Sequence, residues 1–151
     1  MKHRLSAGAL VEHEGRLLLV RHKKEAEYDF WVAPGGGVQS TEELIHAAQR
    51  EVREETGLNV AIGPMLYIEE FHNPDVRHCK FWFAGTLISG SLSTSAPEAT
   101  VEYIVEAAWH SQDQIEKLQV FPSILQGRYW SDRHNRVQAP QYLGLREMKF
   151  W

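Results

Sequence analysis

Apolar residues recur along this chain with two different periods, and the change from one to the other locates its elements. RLSAGALVE (residues 4–12) and RLLLVR (16–21) are dense in apolar side chains and read as strands, with Glu14-Gly15 as a hairpin turn between them. The polar stretch 22–30 reads as a loop, and residues 31–33 as a short strand closed by Pro34. Gly35, Gly36 and Gly37 then let the backbone approach another group closely. From Ser40 the period becomes helical: Leu44, Ile45, Ala48 and Val52 share one stripe at about 100° per residue, which should face a core. Ser40 with Glu43 three residues later makes a capping box, and Gly57 supplies the left-handed residue that ends the helix.

After Leu58 the pattern returns to strands. Residues 59–71 form a β region broken at Gly63-Pro64, 72–78 a turn, 79–88 the strongest strand, 89–98 a loop, and 99–109 a further strand ending at Trp109. Ser111 caps a short helix through about Leu118, and Pro122 opens a second over about 122–130. The tail from Ser131 is polar until LREMKFW, whose apolar residues should pack on the body or on a second subunit, as in a homodimer. The pattern predicts one domain over 1–151, with its core at about 4–130 and a tail at 131–151. Its class is α/β, a mixed sheet covered on both faces by the central and C-terminal helices.

The helix also carries chemistry. Glu51, Glu54 and Glu55 have i, i+3, i+4 spacing, so their carboxylates converge on one side, with Glu55 inside the edge of the apolar stripe. Converging, partly buried carboxylates repel one another and lose hydration. A divalent cation removes that penalty, and an all-oxygen donor set suits Mg²⁺ or Mn²⁺ better than zinc. Most glutamate-rich helix faces are simply solvated, so the spacing alone does not decide between the two.

The full stretch from Gly36 to Leu58, GGVQSTEELIHAAQREVREETGL, resembles the Nudix box. Gly36, Glu42, Arg50, Glu51, Glu54, Glu55 and Gly57 occupy its fixed positions, and Val52 and Leu58 its aliphatic ones. Seven fixed positions agree by chance on the order of 10⁻⁸ per window at roughly 7% usage per residue type. The resemblance is sharp over the box and looser over about residues 4–118. It implies an α/β/α sandwich with a mixed sheet and a loop-helix-loop catalytic motif. It also implies metal-dependent hydrolysis of a nucleoside diphosphate linked to a second moiety, with Mg²⁺ or Mn²⁺ as cofactor. By resemblance, Glu54 and Glu55 are the chief metal ligands, Glu51 a further ligand or the base, and the Gly36 carbonyl another metal contact. Arg50 holds the glutamates by ion pairing, and Glu42 is structural. Family members often add a carboxylate from beyond the box. Here Glu98, Glu102 and Glu106 are the alternatives, Glu102 as catalytic and Glu98 as a metal ligand.

Pro74, sixteen residues beyond Leu58, resembles a marker of ADP-ribose pyrophosphatases, so ADP-ribose or a related nucleotide sugar leads the substrate classes. A house-cleaning (d)NTP pyrophosphohydrolase is the alternative within the same chemistry. The short chain suits it, because larger ADP-ribose hydrolases tend to carry an N-terminal extension. A non-catalytic nucleotide sensor is the alternative from another class. Tyr28, Phe30, Trp31, Phe71 and Trp82 are candidates for stacking on a base. Arg4, Arg21 and Arg77 are candidates for phosphate contacts by charge. His72 and His78 flank the turn opposite the box.

Composition narrows the setting. The 151 residues are 43% hydrophobic and carry a net charge of −4, which argues against a nucleic-acid partner. Residues 1–24 hold six Lys or Arg against two Glu, an excess of +4 that is mostly ordinary solvated surface and could border an anionic substrate. Cys79 is the single cysteine, so disulfides and cysteine zinc sites are excluded. No apolar run reads as a signal peptide or membrane span, which makes the cytoplasm the default location.

Overall fold

The structure, a computed structural model, describes residues 1–135, 139–149 and 151. In chain order the strands are β1 (Lys2–His13), β2 (Arg16–Lys24), β3 (Tyr28–Val32), β4 (Gly35–Gly37), β5 (Leu58–His72), β6 (Val76–Gly90), β7 (Ile104–His110), β8 (Val120–Phe121) and β9 (Gln141–Glu147). The helices are α1 (Leu44–Thr56), α2 (Pro97–Val101), α3 (Gln112–Ile115) and α4 (Arg128–Asn135), with a 3-10 turn over Ser123–Gln126.

The sheet is organised by β1, which changes partners along its length. It runs parallel to β6 from Lys2↔Val76 to Val11↔Gly85, antiparallel to β4 from Ser6↔Gly37 to Gly8↔Gly35, and joins β2 only at Glu12↔Leu17 and His13↔Arg16. The mixed sheet therefore curls, in the order β8-β3-β2-β1-β6-β5-β9, with β7 on β2. Side-chain alternation splits the core between its faces. Ala7, Ala9, Val11 and Leu18 meet α1 through Ala47, Ala48 and Val52. Leu10, Leu17, Leu19, Phe30 and Trp82 meet Leu125, Tyr129 and Trp130 from the C-terminal helices. Each large apolar side chain so buried contributes about 1.5–3 kcal/mol. The result is the α/β fold with both sheet faces covered. Among the described residues no helix is long and apolar enough to cross a membrane.

Several boundaries differ from the sequence reading. α1 starts at Leu44 with Glu43 as an uncapped N-cap, while Ser40 is left-handed at φ 46° in the preceding turn, so there is no capping box. In that turn the Glu42 carboxylate instead accepts from the Gln39 N–H at 2.8 Å. Gly57 does end the helix, at φ 77° with its N–H on the Arg53 carbonyl. Ile45 is 40% exposed, and Ala47 replaces it on the buried stripe. Residues 22–30 are a hairpin, not a loop, because their polar groups pair across it: Arg21 to Asp29 at 2.8 and 2.7 Å, and His22 stacked on Phe30 at 5.2 Å. The glycines form a short strand on β1. Residues 97–101 are helical, and Tyr103 at φ 60° separates them from β7. The helix expected at about 122–130 divides at Gly127 into the 3-10 turn and α4. Ser111 caps α3 as expected, with Gln114 completing a capping box. The tail packs on the body: β9 lies parallel to β5, and Trp151 packs on Phe30, Phe71 and Phe121.

Candidate catalytic cleft

A cleft of about 420 Å³ opens beside the glycine strand, lined by Gly35–Gly37, Arg4, Ser6, Lys80, Glu102, Phe71 and Trp151 among others. The carboxylates of α1 pack against this strand. A Cβ on Gly36 would stand 2.6 Å from Glu51 Cδ and Oε1, so glycine is what lets that carboxylate reach its position. The Gly35 N–H donates to Glu55 Oε2 at 3.3 Å. A second cavity, about 450 Å³, lies between β1, β5, β6 and α4 and is lined by neither the glycine strand nor Glu102. Volume does not select the site here; the chemistry does.

Arg50 organises the helix carboxylates. Its guanidinium donates to Glu42 at 2.6 and 3.1 Å, to Glu51 at 2.9 Å, to Glu54 at 3.0 Å and to the Gly37 carbonyl at 2.9 Å. These acceptors raise its pKa, Glu42 most strongly. Glu51 and Glu55 are buried at 6% and 2% exposure. Burial pushes both upward in pKa, Glu55 well above the usual carboxylate range, and repulsion adds to it, from Glu102 and Glu54 on Glu51 and from Glu51 and Glu102 on Glu55. Glu102 is also raised by burial, with Glu55 as its neighbour. Lys80 on β6 is 3% exposed and its pKa is lowered by burial, against the pull of Glu55, Glu69, Glu51 and Glu102.

The donor set fits a hard divalent cation. Glu55 Oε1 is buried without a hydrogen-bond donor, and acceptor-only carboxylates surround it. Among the described residues, no three His, Cys, Asp or Glu side chains stand arranged as a metal cage. In this arrangement Glu51 and Glu54 are paired with Arg50.

The expected site residues divide. Glu51, Glu54, Glu55, Arg50 and Gly36 lie together, and Glu102 joins them from the end of α2. Glu98 is exposed on α2, and its side chain makes no hydrogen bond or ion pair among the described residues. Glu106 pairs with Arg21 at 3.6 Å. Tyr28 and Phe71 line the cleft. Arg21, Trp31 and Arg77 do not. Arg21 is held by Asp29 across the hairpin, Trp31 is 8% exposed in the core against His110, and Arg77 pairs with Glu70 at 2.9 Å. Each belongs to a strand, where alternation sends its side chain away from the cleft. Lys80 and Trp151 line the cleft and were missed. A lysine inside the apolar run CKFWF was a legible signal for the first, whereas nothing local pointed to the second.

The NUDIX domain family model matches residues 2–127. The 8-oxo-dGDP phosphatase NUDT18 of Danio rerio is 36% identical over 103 residues, which cover 68% of this chain and 30% of that protein. The chain spans less than half the length of the curated relatives it matches. Among solved structures, a NUDIX hydrolase from Nitrosomonas europaea superposes with a TM-score of 0.74 at 24% identity, over 89% of this chain and 90% of that one. An ADP-ribose pyrophosphatase from Streptococcus suis does so with a TM-score of 0.65 at 18% identity, over 96% and 98%. At these identities the two structures speak to the fold.

Proposed function

This chain belongs to the NUDIX domain family, and from that premise we propose that it hydrolyses the phosphoanhydride of a nucleoside diphosphate linked to a second moiety. One observation carries the reading: Glu51, Glu55 and Glu102, from two separate elements, converge beside the glycine strand of an aromatic-walled cleft. Water oxygen bonds to one phosphorus, and the bond from that phosphorus to the bridging oxygen breaks. The bridging oxygen leaves with the other phosphate, giving a nucleoside monophosphate and a phosphorylated second product.

Glu51, Glu54, Glu55 and the Gly36 carbonyl are the groups that would hold Mg²⁺ or Mn²⁺. Bound there, such a cation neutralises diphosphate charge and acidifies a water. Arg50 keeps Glu51 and Glu54 in place. Glu102 lines the cleft itself, and we assign it the proton of the attacking water. Tyr28 offers a face to a planar base, whereas Phe71, 4% exposed and stacked on His78 and Trp151, is closed to one.

ADP-ribose or a related nucleotide sugar is the leading substrate, on the position of Pro74. An oxidised or ordinary (d)NTP or deoxynucleoside diphosphate is the second reading, favoured by the similarity to an 8-oxo-dGDP phosphatase. A sensor without activity has no use for the full carboxylate set. Turnover of ADP-ribose, nucleotide sugars, dinucleoside polyphosphates, (d)NTPs and 8-oxo-dGDP, with and without Mg²⁺ or Mn²⁺, separates the substrates. Glu54→Gln and Glu55→Gln should each lower turnover by at least about 100-fold; rates near wild type would remove the hydrolase assignment.

A further inference from the structure

The cleft wall facing the carboxylates holds a cation that none of these roles uses. Lys80 lies mid-strand in β6, only 3% exposed, yet its ammonium makes neither a hydrogen bond nor an ion pair among the described residues. Aromatic faces hold it instead. The nitrogen lies 4.4 Å from the ring centroid of Trp82 and 4.5 Å from that of Trp151. Both rings are fixed. Trp82 is fully buried and its indole N–H donates to Glu69 at 3.0 Å. Trp151 stacks on Phe71 with centroids 5.2 Å apart, and its carbonyl accepts from Arg146 at 2.8 Å. Register places Lys80 opposite Ser6 and Arg4 opposite His78, so both cations fall on one sheet face, and both line the cleft with Gly35–Gly37.

Indole faces attract an ammonium but give its N–H groups no directional acceptor. A buried ammonium without contact to a carboxylate is costly unless an anion completes it. Glu55, Glu69, Glu51 and Glu102 act on it only from a distance. An entering group that presents several charged oxygens between Lys80 and the glycine strand satisfies those donors, and a phosphate is such a group.

We propose that Lys80 is a substrate-binding residue whose ammonium, oriented by Trp82 and Trp151, donates to a phosphate oxygen of the substrate, with the exposed Arg4 as a second cation beside it. The assignment rests on the diphosphate reading above, but its test does not depend on turnover.

Inorganic pyrophosphate is titrated calorimetrically into the full chain in the presence of a metal chelator. Lys80→Met should weaken binding by at least about tenfold and Arg4→Ala by a few-fold, the loss of charge-assisted hydrogen bonds. Lys23→Met, which alters a lysine outside the cleft, should leave it unchanged. Equal affinity of wild type and Lys80→Met, or no binding by the wild type at millimolar pyrophosphate, overturns the proposal. Should Lys80→Met not fold, the wild-type Lys80 Cε resonance supplies the answer. It should shift with pyrophosphate and not with sodium chloride of equal ionic strength; absence of that difference also overturns it. Wild-type turnover in Glu54→Gln and Glu55→Gln would defeat the hydrolase reading while leaving this binding result intact.

Discussion

Gly36→Ala separates the two things a glycine can do at this site. The three heavy atoms nearest to a Cβ built on Gly36 all belong to the Glu51 carboxylate: Cδ and Oε1 at 2.6 Å and Oε2 at 2.7 Å. Ordinary contact begins near 3.4 Å, so the carboxylate must withdraw by about 0.8 Å (3.4 less 2.6) or turn away. Gly36 is not among the residues with positive φ, so alanine meets no backbone penalty. The obstructing atoms are the end of a side chain that can move, and stability should fall by only about 1 kcal/mol or less. If Glu51 holds the cation as proposed, a displacement of this size should cost about 100-fold in rate. Gly35→Ala is the contrast. Its Cβ would meet the Gly8 Cα at 2.6 Å and the Ala7 carbonyl at 2.8 Å, both backbone. That clash can be relieved only by parting β4 from β1, at about 1–3 kcal/mol. Urea denaturation gives the stabilities, and kcat on the best substrate from the screen gives the rates. Wild-type turnover in Gly36→Ala, or a larger stability loss there than in Gly35→Ala, would refute the account of the glycine strand.

Arg50→Ala leaves Glu42, Glu51 and Glu54 facing one another without their shared cation. Urea denaturation should show a loss of about 3 kcal/mol, and Arg50→Lys should not restore it, since an ammonium cannot present the guanidinium's fork. His22, stacked on Phe30, has its pKa lowered to about 4, first by burial and then by the Lys80 charge. Its folded pKa lies below its ordinary value of 6.5, so the unfolded chain binds the proton first. Stability is therefore full above about pH 6.5 and falls as the pH drops toward 4, by about 3 kcal/mol from this residue at the limit. His22→Phe should flatten that slope in thermal melts, and the wild-type His22 imidazole resonances should not titrate above about pH 5.5. A midpoint near 6.5 would show that the burial has been misjudged.

Much of the site was legible because the box is one continuous helix with its preceding turn. Helical geometry alone brings Glu51, Glu54 and Glu55 to one side, and Arg50 one turn from Glu54 reaches them without help from the rest of the fold. Strand alternation likewise located β1, β2, β5 and β6 to within a few residues. The hairpin at residues 22–30 was hidden because its polar side chains pair with each other across strands, and composition records the polarity without the pairing. Arg21, Trp31 and Arg77 had the right chemistry for substrate, but the strand faces they occupy direct them elsewhere.

What the sequence determined by itself is therefore what depends on neighbours along the chain: the period of each element, the cluster of carboxylates on α1, and the glycines set before it. What only the tertiary structure decided is which distant groups share the cleft. Glu102 was the first-ranked of three candidate acids until α2 carried it to Glu55, and Lys80 and Trp151 meet only because β9 pairs with β5 and returns the tail over β6. Such meetings come from packing among elements dozens of residues apart, and no local spacing encodes them.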